Sequence, residues 1–454
     1  MKKILLIFLI IIQVACMLSC SKEWLEEKQD IKLIVPTTLN DMALLMNGDI
    51  FSYDGRGMSE TSCDDFEFNT EQFNQLSWPF DRDFITWSVQ RDLPNIAALQ
   101  QNEWSCAYNQ IQICNVVLKG LAKIDRNEKN ASFYDEIKGA ALYYRAKQFL
   151  NLAMTFCNYY DAKTAKDQMG IPLKLDDDIS ERIQRASLED TYTRIVQDLK
   201  LSSKLLPSFQ KSYARLAKGG SYALLARTLL FMDSYQEAKD AADSSYKYHY
   251  FLEDYNTINA VGVRPLMIES KEIHVLSNMV KVANNPETGR VSQELFDQYS
   301  ANDLRKKLFF KVENDGKESF KGHYTVALFT GTTTAEVLLI KAECLARLND
   351  SHGAMSILNS LMSKRFDKNN FIPFVAETGE EALAIILKER RKELITRGLR
   401  WQDLKRLNRD DRFSKTLVRR IGSETYTLPP NDRRYVLPIP LFVINYNGIL
   451  QNQY

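Results

Sequence analysis

The chain has 454 residues, 45% of them apolar and 11% aromatic, with 59 basic and 58 acidic side chains. That balance suits a globular protein with a large core and gives no electrostatic reason to bind nucleic acid, whose partners carry basic stripes. Four histidines without metal-ligand spacing, and an odd set of scattered cysteines after Cys20, argue against a histidine metal site and a disulfide framework, so no metal or other cofactor is expected.

The first twenty residues address the chain. Lys2 and Lys3 precede an apolar run from Ile4 to Leu18, followed by Ser19-Cys20. A basic end, an apolar core and a small residue at the cut make a secretory signal peptide over 1–19. Met17-Leu18-Ser19-Cys20 reads as a bacterial lipoprotein box, in which the Cys20 thiol takes a lipid and becomes the mature N-terminus. An ordinary signal peptide or an anchoring helix is the competing reading, although the run falls short of the ~20 residues that span a bilayer. Residues 20–36 then form a lipidated tether ending at Val35-Pro36, and 37–454 a single domain acting outside the cytoplasm.

Thr37-Thr38, with Asp41 nearby, predicts the cap of a first helix over Leu39 to Met46. Residues 47–87 are rich in Gly, Asp, Ser and aromatics and read as a long irregular segment, of the kind that is functional when it is ordered. From Trp104 the pattern turns helical: Trp104, Tyr108 and Ile111 share a face, and Ala140 to Phe156, Thr191 to Leu206 and Gly220 to Met232 follow the same period. Two helix pairs repeat at an offset of 116 residues, Ala226, Asp233, Ala238 and Ala242 answering to Ala342, Asn349, Ala354 and Leu358. Small residues flanking a helix–turn–helix are what tetratricopeptide-type packing requires, with unrelated antiparallel pairs as the alternative. Residues 250–330 read as a less regular insertion with β-like pieces at Glu272 to Leu276 and Tyr324 to Phe329. A final helix is expected from Gly379 to Leu407, then an extended tail through Pro438 and Pro440. The fold class is therefore all-α, mainly helical, with tetratricopeptide-like pairs, a loop-rich face and a few short strands.

No nucleophile elbow, phosphate loop or dinucleotide fingerprint occurs, so the chain is not expected to be an enzyme. Asp64-Asp65 and Asp176-Asp177-Asp178 are adjacent acids without calcium-loop spacing. Glu389 and Glu393 share a helix face, with Arg397 a turn on, an arrangement that ties a helix to its neighbours. Binding is better supported. Tyr53, Trp78, Phe80 and Trp87 offer flat faces for sugar rings, and Asp65 and Arg82 offer hydrogen bonds to hydroxyls. The competing reading makes Trp78 and Trp87 anchors of the loop on the helical core.

The ordered set of motifs resembles the SusD/RagB family of outer-membrane nutrient-binding lipoproteins. It comprises the lipoprotein box, Trp24-Leu25-Glu26-Glu27-Lys28, Val35-Pro36-Thr37-Thr38-Leu39, Trp104 with Tyr108 and Ile111, and Asn302-Asp303-Leu304-Arg305. Its strongest part is Glu389-Arg390-Arg391-Lys392-Glu393-Leu394, Gly398, Arg400-Trp401 and Asp403-Leu404-Lys405-Arg406, with Leu437 to Pro440 and Leu450-Gln451-Asn452 closing the chain. The resemblance implies an α-helical fold at the cell surface, capping a SusC-like TonB-dependent transporter and passing it an oligosaccharide or a peptide. Its motifs are scaffold, so it assigns no ligand contact. The rival readings are a lipid-anchored helical-repeat scaffold for envelope proteins and a surface hydrolase.

Overall fold

The first helix, α1 (Leu39–Met46), opens as its cap predicts: the Thr38 hydroxyl accepts the Asp41 N–H at 3.2 Å and the Asp41 carboxylate accepts the Thr38 N–H at 2.9 Å. In this computed structural model the described residues are 36–453, apart from 56, 77, 94–101, 211, 213–214 and 280–288. The signal peptide, Cys20 and the tether expected before residue 36 lie outside them.

Nine further helices carry the architecture: α2 (Glu103–Leu121), α3 (Ala131–Phe156), α4 (Leu188–Leu205), α5 (Lys218–Phe231), α6 (Tyr235–Tyr248), α7 (Thr334–Arg347), α8 (Ser351–Met362), α9 (Gly379–Glu393) and α10 (Arg400–Leu407). From α2 to α8 each packs on the next, and α9 closes the row against α7 and α8. The repeat read in the sequence is physical. The pairs α5/α6 and α7/α8 begin at residues 218 and 235 and at 334 and 351, keeping the offset of the alanines. Ala226, Ala238, Ala342 and Ala354 are fully buried, so backbones approach where no larger side chain fits. Asp233 (φ 57°) and Asn349 (φ 63°) turn the chain through the left-handed region, which Asp and Asn enter more readily than bulkier residues.

Strands are short and pair only in twos. The longest ladder is the hairpin β1 (Leu417–Ile421) with β2 (Glu424–Leu428). The β-like pieces expected between 250 and 330 appear as Ile273–Val275 against Thr332–Thr333 and as Asn278–Met279 against Leu328–Phe329. That stretch builds a second apolar cluster around Tyr299, Phe309, Phe310 and Phe320, apart from the main helical core. Buried charges join the two. Glu393 of α9 takes Arg365 at 2.7 Å and Arg305 at 3.1 Å, while Arg365 also pairs with Glu272 at 3.0 Å and lies over the Tyr255 ring.

Two expectations need correction. Residues 47–87 are not irregular throughout, for they hold a 3₁₀ turn (Asp49–Ser52) and short helices at Met58–Ser62, Thr70–Asn74 and Pro79–Ile85. Asn69 caps one through a capping box with Gln72, and Pro79 starts another, signals too local for a periodicity argument. The final helix is two: Thr396 (φ 61°) and Gly398 (φ 71°) break it between α9 and α10. The five described cysteines are buried and free, as small hydrophobes.

Candidate functional site

One carboxylate, Asp54, fastens the start of the segment after α1. Asp54 pairs with Lys147 of α3 at 2.7 Å and accepts hydrogen bonds from the Ser277 and Thr330 hydroxyls (2.7 and 2.5 Å) and the Asn151 amide (3.1 Å). Burial alone would raise this carboxyl, but the Lys147 ammonium and the hydroxyl donors hold it below the ordinary carboxylate range. Asp54 thereby fastens the loop both to the helical row and to the strand region.

Beside this fastening lies a cleft of about 530 Å³, walled by residues 46–52, by α3 and by residues 268–276. Its floor is apolar: Phe51 packs on Tyr144 with ring centroids 4.4 Å apart and planes tilted by 33°, and Leu216, Val275 and Leu276 complete it. Its rim is polar and exposed, with Asn47, Asp49 and Arg215, the Arg215 guanidinium donating to the Asn47 side-chain oxygen at 2.8 Å. The volume falls within the range of small-ligand sites, and an aromatic floor under a hydrogen-bonding rim is the arrangement such sites use.

The sequence-predicted residues fall in separate places. Tyr53 adjoins the cleft, half-buried; its carbonyl accepts the Gln110 amide at 2.7 Å and its backbone bridges to Asn278. Trp78 and Phe80 stay together, half-buried, with ring centroids 5.6 Å apart. Arg82, on the same short helix as Phe80, spends its guanidinium on the carbonyls of Phe73 (3.1 Å) and Asn74 (2.6 Å). Trp87 and Asp65 are each only 1% exposed, which corrects their reading as ligand contacts. The Trp87 indole donates to the Ser62 carbonyl at 2.9 Å beneath the Arg419 guanidinium, and Asp65 pairs with Arg391 at 2.8 Å. Both fix the loop from below. The residues missed are Tyr144, Arg215, Ile268 and Leu276, which reach the cleft from distant stretches and carry no local signal.

A second chemical grouping lies deeper. Glu60, Cys63 and Asp65 bring ligand-type atoms within 4.8 Å of one another, all buried. The positive charge this cluster wants is already supplied by Arg391 on Asp65, and burial pushes the Cys63 thiol well up, so it stays a thiol. Burial, and then the charge of Asp65, push Glu60 up to about 8. The group is a carboxyl pair holding a proton.

Two family profiles match the sequence. Residues 23–230 match one described as starch-binding associating with outer membrane, and residues 330–454 match the SusD family. No curated protein matches it. Among solved structures, a putative sugar binding protein from Bacteroides vulgatus superposes with a TM-score of 0.72 at 18% identity, covering 92% of this chain and 99% of that one. A SusD superfamily protein from Bacteroides thetaiotaomicron gives 0.69 at 19%, covering 92% and 100%. Another from B. vulgatus gives 0.69 at 22%, covering 91% and 98%.

Proposed function

We propose, from the premise that this chain belongs to the SusD/RagB family, that it is a lipid-anchored lid of the outer membrane, capping a SusC-like TonB-dependent transporter and handing it a nutrient. The nutrient is an oligosaccharide in this reading, with a peptide as the alternative, and the protein's part is binding, not catalysis. The observation that carries it is the cleft of about 530 Å³, where the Phe51–Tyr144 pair lies under the Asn47, Asp49 and Arg215 rim. A sugar ring lays its apolar face on such a floor and gives its hydroxyls to such a rim. Anchoring through Cys20 supports delivery, because a short tether keeps lid and barrel at high effective concentration. Among the described residues no helix is long and apolar enough to cross a membrane.

A glycan array probed with the purified protein, followed by titration of the hits, tests the ligand. Tyr144→Ala and Arg215→Ala should each weaken binding by about tenfold, the loss expected for a stacked ring or a charged hydrogen bond. Full affinity in both, with loss in Trp78→Ala, would move the site to the Trp78–Phe80 face. Copurification of a large β-barrel from gently solubilised outer membranes tests the partner; envelope-assembly proteins in its place would favour a scaffold.

A further inference from the structure

Arg397, like Arg419, is a buried arginine for which no ion pair with a carboxylate is found among the described residues. Arg397 is 8% exposed, and its Nη1 makes no hydrogen bond among them. The guanidinium lies over the rings of Tyr324 and Phe329, at 4.9 and 4.4 Å from their centroids. Glu393, which feels its charge, is committed to Arg305 and Arg365. The Tyr324 hydroxyl shares a hydrogen bond with Arg397, so its described partners are two rings and one hydroxyl, and folds keep a guanidinium without its own carboxylate where something else completes it. The backbone there is strained as well: Arg397 follows Thr396, a β-branched residue held in the left-handed region at φ 61°.

The side chain helps wall a small well of about 70 Å³ under the loop that Asp54 fastens, whose polar lining includes Ser59, Glu60, Glu103 and Gln402 beside Met154, Met279 and Leu399. Among the described residues the Ser59 hydroxyl has no hydrogen-bond partner and the buried Gln402 amide makes no side-chain hydrogen bond. The other cations of the wall are spent, Lys147 on Asp54 at 2.7 Å and Arg227 on Glu336 at 2.6 Å. Glu60 carries a proton at neutral pH, its carboxyl pushed up to about 8 by burial. Glu103 accepts the Met58 N–H, and with Asp54 it brings carboxylate oxygens to the wall that can accept from the hydroxyls of a ligand.

One guanidinium, neutral donors and one acceptor wall match an oxyanion flanked by hydroxyls. We propose that this well receives the carboxylate or sulfate of an acidic saccharide, with Arg397 as counter-charge and Ser59 and Gln402 as donors to its oxygens. The volume admits the terminal charged group, while the rest of the ligand lies outside. The proposal rests on the nutrient-binding reading for the ligand's class; the oxyanion itself follows from Arg397 and Ser59.

Calorimetric titration of the purified protein tests it, with digalacturonate, a sulfated disaccharide and lactose at constant ionic strength, and with acetate and sulfate alone as stabilisers in thermal melts. One acidic disaccharide should bind at least about tenfold tighter than lactose, as a desolvated charge pair allows, and which of the two does so separates carboxylate from sulfate. Arg397→Gln should erase that preference. Ser59→Ala, which leaves the charge and the aromatic sandwich intact, should weaken the acidic ligand several-fold and leave lactose unchanged. Lactose bound as tightly as both acidic sugars, or a preference that survives both variants, overturns the proposal while the nutrient reading stands. Acetate or sulfate raising the melting temperature only when Arg397 is present, with no saccharide bound, keeps the oxyanion site and sinks the nutrient reading. No response to any of these probes overturns the proposal.

Discussion

Glu60 shows how much a single buried side chain can set. Its Oε2 accepts the Gly398 N–H at 3.1 Å, tying the loop after α1 to the break between α9 and α10. Burial first, and the neighbouring Asp65 charge second, lift its carboxyl to about 8, whereas in the unfolded chain it titrates near ~4.3. The native state therefore holds a proton that the unfolded state has released. The stability this contributes is complete below about pH 4 and is lost as the pH rises towards about 8. Urea midpoints taken from about pH 5 to pH 8 should fall for the wild type relative to Glu60→Gln, whose amide keeps the uncharged form throughout; parallel curves would refute the assignment. Residue type alone could not have placed Glu60, nor could it tell that Trp87 and Asp65 face inwards. An indole and a carboxylate can line a ligand site or staple a loop equally well, and the choice lies in Arg419 and Arg391, which come from far along the chain.

Among the elements, the helix pairs were the most legible part because their contacts are local and periodic. The alanines twelve residues apart, with Asp233 or Asn349 between them, give both the close packing and the left-handed turn. The break after α9 was not legible, since a 3.6-residue pattern runs through Glu389 and Glu393 without announcing Thr396. What the pattern also hides is how tightly α9 begins. A Cβ on Gly379 would stand 2.5 Å from the Ala346 carbonyl oxygen and 3.0 Å from the Asn349 side chain, so α9 starts directly against the α7–α8 turn. Gly379→Ala should cost about 1–3 kcal/mol by overpacking, read as a lower urea midpoint with an unchanged slope. The same helix holds the insertion in place. Glu393→Gln should cost about 3–5 kcal/mol, because it leaves Arg305 and Arg365 buried with too little negative charge. The loss should appear first as faster hydrogen exchange around residues 299–320, the cluster the pair joins to α9. Uniform loosening of the whole chain would mean the network is not a local tie.

At the scale of the molecule, the helical row and the loops do different work. The row from α2 to α9 is closely packed, and the cleft and the small well are each lined jointly by residues of the row and by loop residues. In the proposed role as a lid, a fixed attachment to the membrane brings no gain, since loading and unloading require a swing. The sixteen residues from Ser21 to Pro36 reach at most about 55 Å when extended, enough for such a swing yet short enough to keep lid and barrel together. This separates two properties that a transmembrane anchor would couple. Cys20→Ala should move the protein from the membrane to the soluble fraction while its ligand affinity stays unchanged, because every described residue lining the cleft lies at or beyond Met46. Nutrient uptake should fall sharply even though binding persists, the effective concentration at the barrel having been lost. A variant that remained in the membrane fraction would refute the lipid anchor, and one that was released but still supported full uptake would show that the lid docks by surface affinity alone, the tether adding nothing to delivery.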